Sequence, residues 1–203
     1  MKRLDLRGDF RDLYSPSSRE VEIVRVPRLN YLMIDGIGDP NSSPQFPLAV
    51  QALYTAAYTL KFMVKNNVLV DYPVMALEGL WWADDLEVFR MEKRDDWKWT
   101  MMIMQPSVVT KSLFKKAVAL AEEKKELDAL RDLRLEPYSE GLSVQIMHIG
   151  PYSDEGPTIE KLHAFARERG LELKGKHHEI YLSDPRKVSP GKMKTVIRQP
   201  VRK

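Results

Sequence analysis

YLMIDGIGDP, residues 31–40, decides the fold, because VQIMHIGPYS at 144–153 repeats its pattern. Each stretch is an apolar strand that runs into a turn marked by glycine and proline, with a helical segment after it. Two more echoes follow in the same order. GLWWADD (79–85) matches EIYLSDP (179–185), and WTMMIMQPSV (99–108) matches KTVIRQPVRK (194–203). Three matches in one order indicate an internal duplication. Each half then reads strand, helix, strand, strand. One such half is too small to bury both faces of its sheet, so two must combine. The expected fold is α+β. It has two strand-helix-strand-strand repeats with pseudo-twofold symmetry, and an antiparallel sheet with helices on one side and an aromatic groove on the other. Ligand sites favour such junctions.

The helices are legible from their spacing. In PQFPLAVQALYTAAYTLKFMVKN (44–66), residues Phe46, Val50, Leu53, Ala57, Leu60 and Val64 recur every three or four positions. Tyr54 and Tyr58 make a second stripe. EGPTIEKLHAFARERG (155–170) has Pro157 near its start and Gly170 just past its end, the usual asymmetry of a helix. The strands YPVMALEGLWWADD (72–85) and DDWKWTMMIMQP (95–106) flank a charged turn, which predicts a hairpin. The chain divides into a loosely held arm (1–19) and one domain (20–202). Within that domain, repeat one spans 20–106, a helical connector 107–140, and repeat two 141–202.

Composition narrows the function. The 203 residues are 43% hydrophobic and 30% charged, which fits a globular chain rather than a disordered one. There is no cysteine, so disulfides and thiolate chemistry are excluded, and a cytoplasmic location is expected. The net charge of +3 is too mild to argue for nucleic acid. No apolar run approaches the roughly 18 residues that suggest a membrane helix, so no membrane partner is expected. Gly-rich nucleotide motifs and the nucleophile elbow are absent from the sequence. His177 and His178 are adjacent on a strand and point to opposite faces, and no HxH or HxxxH spacing occurs. No metal and no cofactor are expected.

The chemistry centres on HHEIYLSDPRK, residues 177–187. Strand alternation sets Glu179 and Tyr181 on one face and Ile180 and Leu182 on the other. The reading places Ile180 and Leu182 under the helix and Glu179 and Tyr181 in the groove. The internal match sets Trp81 beside the groove and Trp82 on the helix side. All four tryptophans fall within residues 81–99. Such flat, amphipathic rings suit an aromatic ligand. Glu179 against an aromatic wall is a candidate general base or counter-charge. Glu78 is a weaker candidate, on the opposite face.

The duplicated layout together with ALEGLWW, WKWTMMIMQP, HIGPYSDEGPTI, HHEIYLSDPRK and KTVIRQPV resembles the GyrI-like small-molecule-binding superfamily over roughly residues 20–202. The resemblance implies a pair of such modules around a groove, with Glu179 at the position of the family's acidic residue. It implies a flat aromatic or amphipathic small molecule as partner. Similarity to the cyclopropanoid cyclopropyl hydrolase branch implies Glu179 and Tyr152 as catalytic residues. Tyr54 and Tyr181 are alternatives to Tyr152. Trp81, Trp82, Trp99, Tyr54, Tyr181 and His148 are ligand-binding candidates. A non-catalytic sensing or sequestering module and a topoisomerase-interacting protein are the alternative readings. Oligomeric state is left open.

Overall fold

The echoed sequences form strand pairs in the same register in both halves. A computed structural model of the chain describes residues 1–83 and 94–203. Its elements are β1 (Lys2–Arg3), α1 (Leu6–Asp9), α2 (Arg11–Tyr14), β2 (Glu22–Ile37), α3 (Gln45–Asn67), β3 (Val70–Asp71) and β4 (Leu77–Trp82). After the undescribed stretch come β5 (Lys98–Gln105), α4 (Lys111–Lys124), β6 (Arg134–Ile149), α5 (Gly156–Glu168), β7 (Glu172–Leu173), β8 (His177–Tyr181) and β9 (Lys194–Arg202). The fold is α+β, with antiparallel β2–β5, β6–β9, β7–β9 and β8–β9 pairs. The hairpin turn expected between β4 and β5 lies outside the described residues.

The chain divides into two compact units. One comprises Met1–Asp9, Leu29–Met75 and Trp81–Tyr138; the other comprises Phe10–Arg28, Ala76–Leu80 and Ser139–Lys203. In the first unit β2 pairs antiparallel with β5, with Asp35 opposite Thr100 and Gly36 opposite Trp99. In the second, β6 pairs antiparallel with β9, with His148 opposite Thr195 and Ile149 opposite Lys194. Asp35 and His148 are echo partners, and so are Trp99 and Lys194. The duplication therefore extends to individual residue pairs.

The first unit is built around α3. Ala49, Ala52, Leu53, Ala56, Ala57, Leu60 and Val64 are buried along one face, as the helical spacing predicts. α4 packs on α3 and starts at Thr110, whose side chain accepts a hydrogen bond from the Leu113 amide at 3.2 Å. Phe46 joins the tryptophans. Its ring stacks on Trp81 (centroids 6.1 Å) and meets Trp99 edge-on (5.3 Å), while Trp81 meets Trp97 at 6.0 Å. Gly36 lies under Trp99; a Cβ there would come within 2.1 Å of the indole.

In the second unit α5 covers one face of the sheet. Leu162 and Ala166 pack on Val144, Ile146, Ile197 and Val201. The registers put Glu179 opposite Ile197 and Tyr181 opposite Thr195, so both side chains share the face that α5 covers. This corrects the expected assignment, which put Ile180 and Leu182 under the helix. The Ile180 face instead carries His178, Arg198, Gln145, Met147 and Val196.

Two expected boundaries also differ. Residues 1–19 are not a loose arm: Leu6, Leu13 and Tyr14 are buried, and β1 pairs parallel with β3. The Asp12 carbonyl accepts from Gln145 Nε2 at 2.6 Å and the Ser17 carbonyl from the Met147 amide at 2.9 Å. The connector ends before residue 140, because β6 already begins at Arg134. Pro137 and Gly141 (φ +79°) masked that strand in the sequence, since both residues weaken strand character.

Candidate functional site

β8, β9 and the start of α5 bring two carboxyl groups together. Glu179 lies on β8, partly buried, and each of its oxygens has a donor. His177 Nε2 lies 3.1 Å from Oε1, and the Tyr181 hydroxyl donates to Oε2 at 2.7 Å. Alternation along the strand places His177, Glu179 and Tyr181 on one face, so these bonds follow from the HHEIY pattern. Burial pushes the Glu179 carboxyl up. The hydrogen bonds and charge of His177, the Tyr181 hydroxyl and the nearby His178 outweigh it, and the group is held below the ordinary glutamate value.

Glu155 immediately precedes α5 and is 5% exposed. Burial and the adjacent Glu179 charge push its carboxyl up to about 9, so it is a neutral acid at pH 7. Its place at a helix N-terminus favours the charged form by only about 0.3–1 kcal/mol, less than one pH unit, and the other two effects win. Among the described residues, Glu155 Oε1 and the neighbouring Thr195 Oγ1 are buried without a hydrogen-bond partner. The site thus combines an ionised carboxylate, a neutral carboxylic acid and unused polar atoms beside them. Carboxyls whose surroundings push their pKa values apart are the pattern of an acid–base pair.

His148 and a tight turn hold Glu155 in place. His148 Nε2 lies 3.3 Å from the Pro151 carbonyl and so donates to it, and Nδ1 shares a hydrogen bond with the Thr158 hydroxyl at 2.9 Å. One ring thereby ties β6 to the turn and to the first turn of α5. Gly150 (φ +149°) permits the approach, since a Cβ would come within 3.0 Å of the imidazole. Tyr152 is 41% exposed in the same turn, and its ring meets Tyr181 edge-on at 5.6 Å.

Of the expected site residues, the second unit brings together Glu179, Tyr181, Tyr152 and His148. Trp81, Trp82, Trp99 and Tyr54 belong to the first unit. Trp99 is fully buried against Phe46 and Gly36, Trp81 is buried beside Phe46 and Trp97, and Trp82 and Tyr54 are half-buried. Tyr54 stacks on Tyr58 at 6.4 Å. Glu78 is fully buried in a separate ion cluster with His178. Sequence reasoning missed Glu155 as part of the site, whereas strand alternation sets His177 in line with Glu179 and Tyr181. Glu155 sits among polar loop residues that read as surface; its one signal was the HIGPYSDEGPTI stretch ahead of Pro157. Among the described residues no three His, Asp or Glu side chains are grouped to hold a metal ion, and no helix is long and apolar enough to cross a membrane.

A duplicated α+β chain with two buried carboxyl groups side by side fits a small-molecule-binding class of protein. The model of the GyrI-like small-molecule-binding domain matches residues 19–202, and the chain belongs to that family. It is 38% identical to an uncharacterized conserved protein from Listeria innocua, with TM-score 0.91 and all of both chains covered. It is 39% identical to a hydrolase from Listeria innocua, with TM-score 0.89, 99% of this chain and 100% of that one covered. The C-terminal domain of EcmrR shares the fold at 13% identity and TM-score 0.56, over 91% of this chain and 98% of that one. No curated protein matches the chain.

Proposed function

We propose that this protein is a hydrolase that adds water to an electrophilic carbon of a flat aromatic small molecule, with Glu179 as base and Glu155 as acid. The observation that carries this reading is the pairing of a neutral Glu155 with an ionised Glu179 in one buried site. A carboxylic acid held neutral at pH 7 beside an ionised carboxylate offers one bound molecule both a proton donor and a proton acceptor. The Listeria relative named a hydrolase supports the reading.

The substrate class proposed is a cyclopropane fused to a dienone, the strained ring of duocarmycin-like compounds. Glu179 takes a proton from water as the water oxygen bonds to the ring CH2. The cyclopropane C–C bond breaks, and its electron pair moves through the dienone to the carbonyl oxygen. Glu155 gives its proton to that oxygen, forming a phenol. The proton on Glu179 then passes to Glu155, and the pair is restored. Tyr181 orients Glu179, and Tyr152 shapes the rim.

The test uses a cyclopropanoid dienone with wild type and Glu179→Gln. Tryptophan quenching reads binding, and chromatography reads the ring-opened product. The expected result is retained binding with turnover at least about 100-fold lower. Binding without product in the wild type would make the protein a sequestering or sensing module instead.

A further inference from the structure

We propose that His178 is a positioning residue for Glu179: anchored at both ring nitrogens in a buried cluster closed by residues 12–14, it fixes the face that Glu179 occupies and supplies a positive charge behind it. The proposal rests on the reading of Glu179 as the base.

The cluster lies on the sheet face opposite α5. His178 Nε2 is 3.0 Å from Glu78 Oε2, and Nδ1 is 3.1 Å from both oxygens of Glu140. The Tyr14 hydroxyl donates to Glu78 Oε1 at 2.6 Å. Arg198 donates from Nη1 to Glu140 at 3.3 Å, from Nε to Gln145 at 3.0 Å, and from Nη2 to the Leu13 carbonyl. Gln145 returns to the Asp12 carbonyl. Glu78, His178 and Gln145 have no exposed surface, Arg198 is 1% exposed and Glu140 4%. Two carboxylates on two ring nitrogens require both nitrogens to donate, so His178 is an imidazolium; its pKa is raised to about 9 despite burial. Two anions and two cations then cancel.

Such a cluster is weak evidence for stability, because well-packed apolar residues of the same volume often do as well. It is strong on register. Side chains alternate along a strand, so a one-residue slip of β8 would turn His178 toward α5 and remove Glu179 from Glu155. The slip would also leave Glu78 buried without its cation and Glu140 with Arg198 alone. The groups that face Glu179 are His177 and Tyr181 from β8, Glu155 ahead of α5 and Thr195 from β9. His178 faces Glu78 from β4, Glu140 from β6 and Arg198 from β9, with Tyr14 of α2 behind Glu78. A neutral residue at 178 leaves that cluster one charge negative, directly behind Glu179.

The test compares full-length wild type, His178→Gln and Tyr14→Phe. Carbon NMR of the glutamate carboxyls follows Glu179 across pH, and turnover of a cyclopropanoid dienone gives the pH profile. In His178→Gln the Glu179 titration moves up by about one unit, and turnover on the acid side falls about tenfold while the alkaline side is kept. Tyr14→Phe, which removes only the hydroxyl on Glu78 and leaves His178 in place, moves it by less than His178→Gln does. If Glu179 titrates unchanged in every variant that folds, the proposal is overturned and the cluster serves folding alone. A moved titration in a protein with no turnover upholds the positioning role and refutes the hydrolase reading.

Discussion

Glu155 carries a stability cost that grows with pH. Its folded pKa lies near 9 and its unfolded value near 4.5, so the folded state holds a proton that the unfolded state gives up. Between those values the folded form loses stability as pH rises. Glu155→Gln keeps the shape and removes that cost. The expected outcome is a protein more stable at pH 8 by roughly 1–3 kcal/mol, read by urea denaturation, with turnover lost. A destabilised variant would contradict the assignment of a neutral acid. Sequence reading found Glu179 because a carboxylate in the middle of an apolar strand is conspicuous. It could not find Glu155, whose loop neighbours are polar and whose burial arises only when α5 packs on the sheet.

At the scale of elements, the order of strands and helices was legible and the faces were not. Alternation identifies two faces of β8 but does not say which is covered by what. Here both faces are buried: α5 covers Glu179 and Tyr181, while Asp12, Leu13 and Tyr14 lie with the other face. Ile180 therefore reads as core on either assignment. Nothing local to His178 and Arg198 reveals their partners 38 to 185 positions away. The β2–β5 pair offers a test of the repeat. Gly36 sits where its echo partner is Ile149, because Trp99 occupies the space its Cβ would fill. Gly36→Ala should destabilise the fold by about 1–3 kcal/mol through displacement of the indole, measured by denaturant unfolding with the shift in tryptophan fluorescence. An unchanged midpoint would mean that Trp99 does not lie across Gly36.

For the whole molecule, the buried ionisable groups predict a particular pH dependence. His178 is held protonated up to about 9, so its contribution is full below the unfolded value near 6.5 and is lost as pH rises through 9. Glu155 adds a loss of the same sign from about 4.5 upward. Glu140 works in the other direction: the His178 and Arg198 charges outweigh its burial and hold it ionised, so its contribution is lost as pH falls below the ordinary glutamate range. The thermal midpoint should peak between about pH 4.5 and 6.5 and fall steadily toward pH 9, and calorimetry across that range checks it. The duplication was readable because three echoes kept their order, and the structure preserves them down to the pairing of Asp35 with Thr100 and His148 with Thr195.

The acid–base pair requires one proton on Glu155 beside an ionised Glu179, and infrared spectroscopy sees it directly. The difference spectrum of wild type minus Glu155→Gln at pH 7 should contain the carbonyl band of one un-ionised carboxylic acid, which disappears as pH passes about 9. A spectrum without that band, or a band that titrates near the ordinary glutamate value, would contradict the acid–base pair and the hydrolysis built on it.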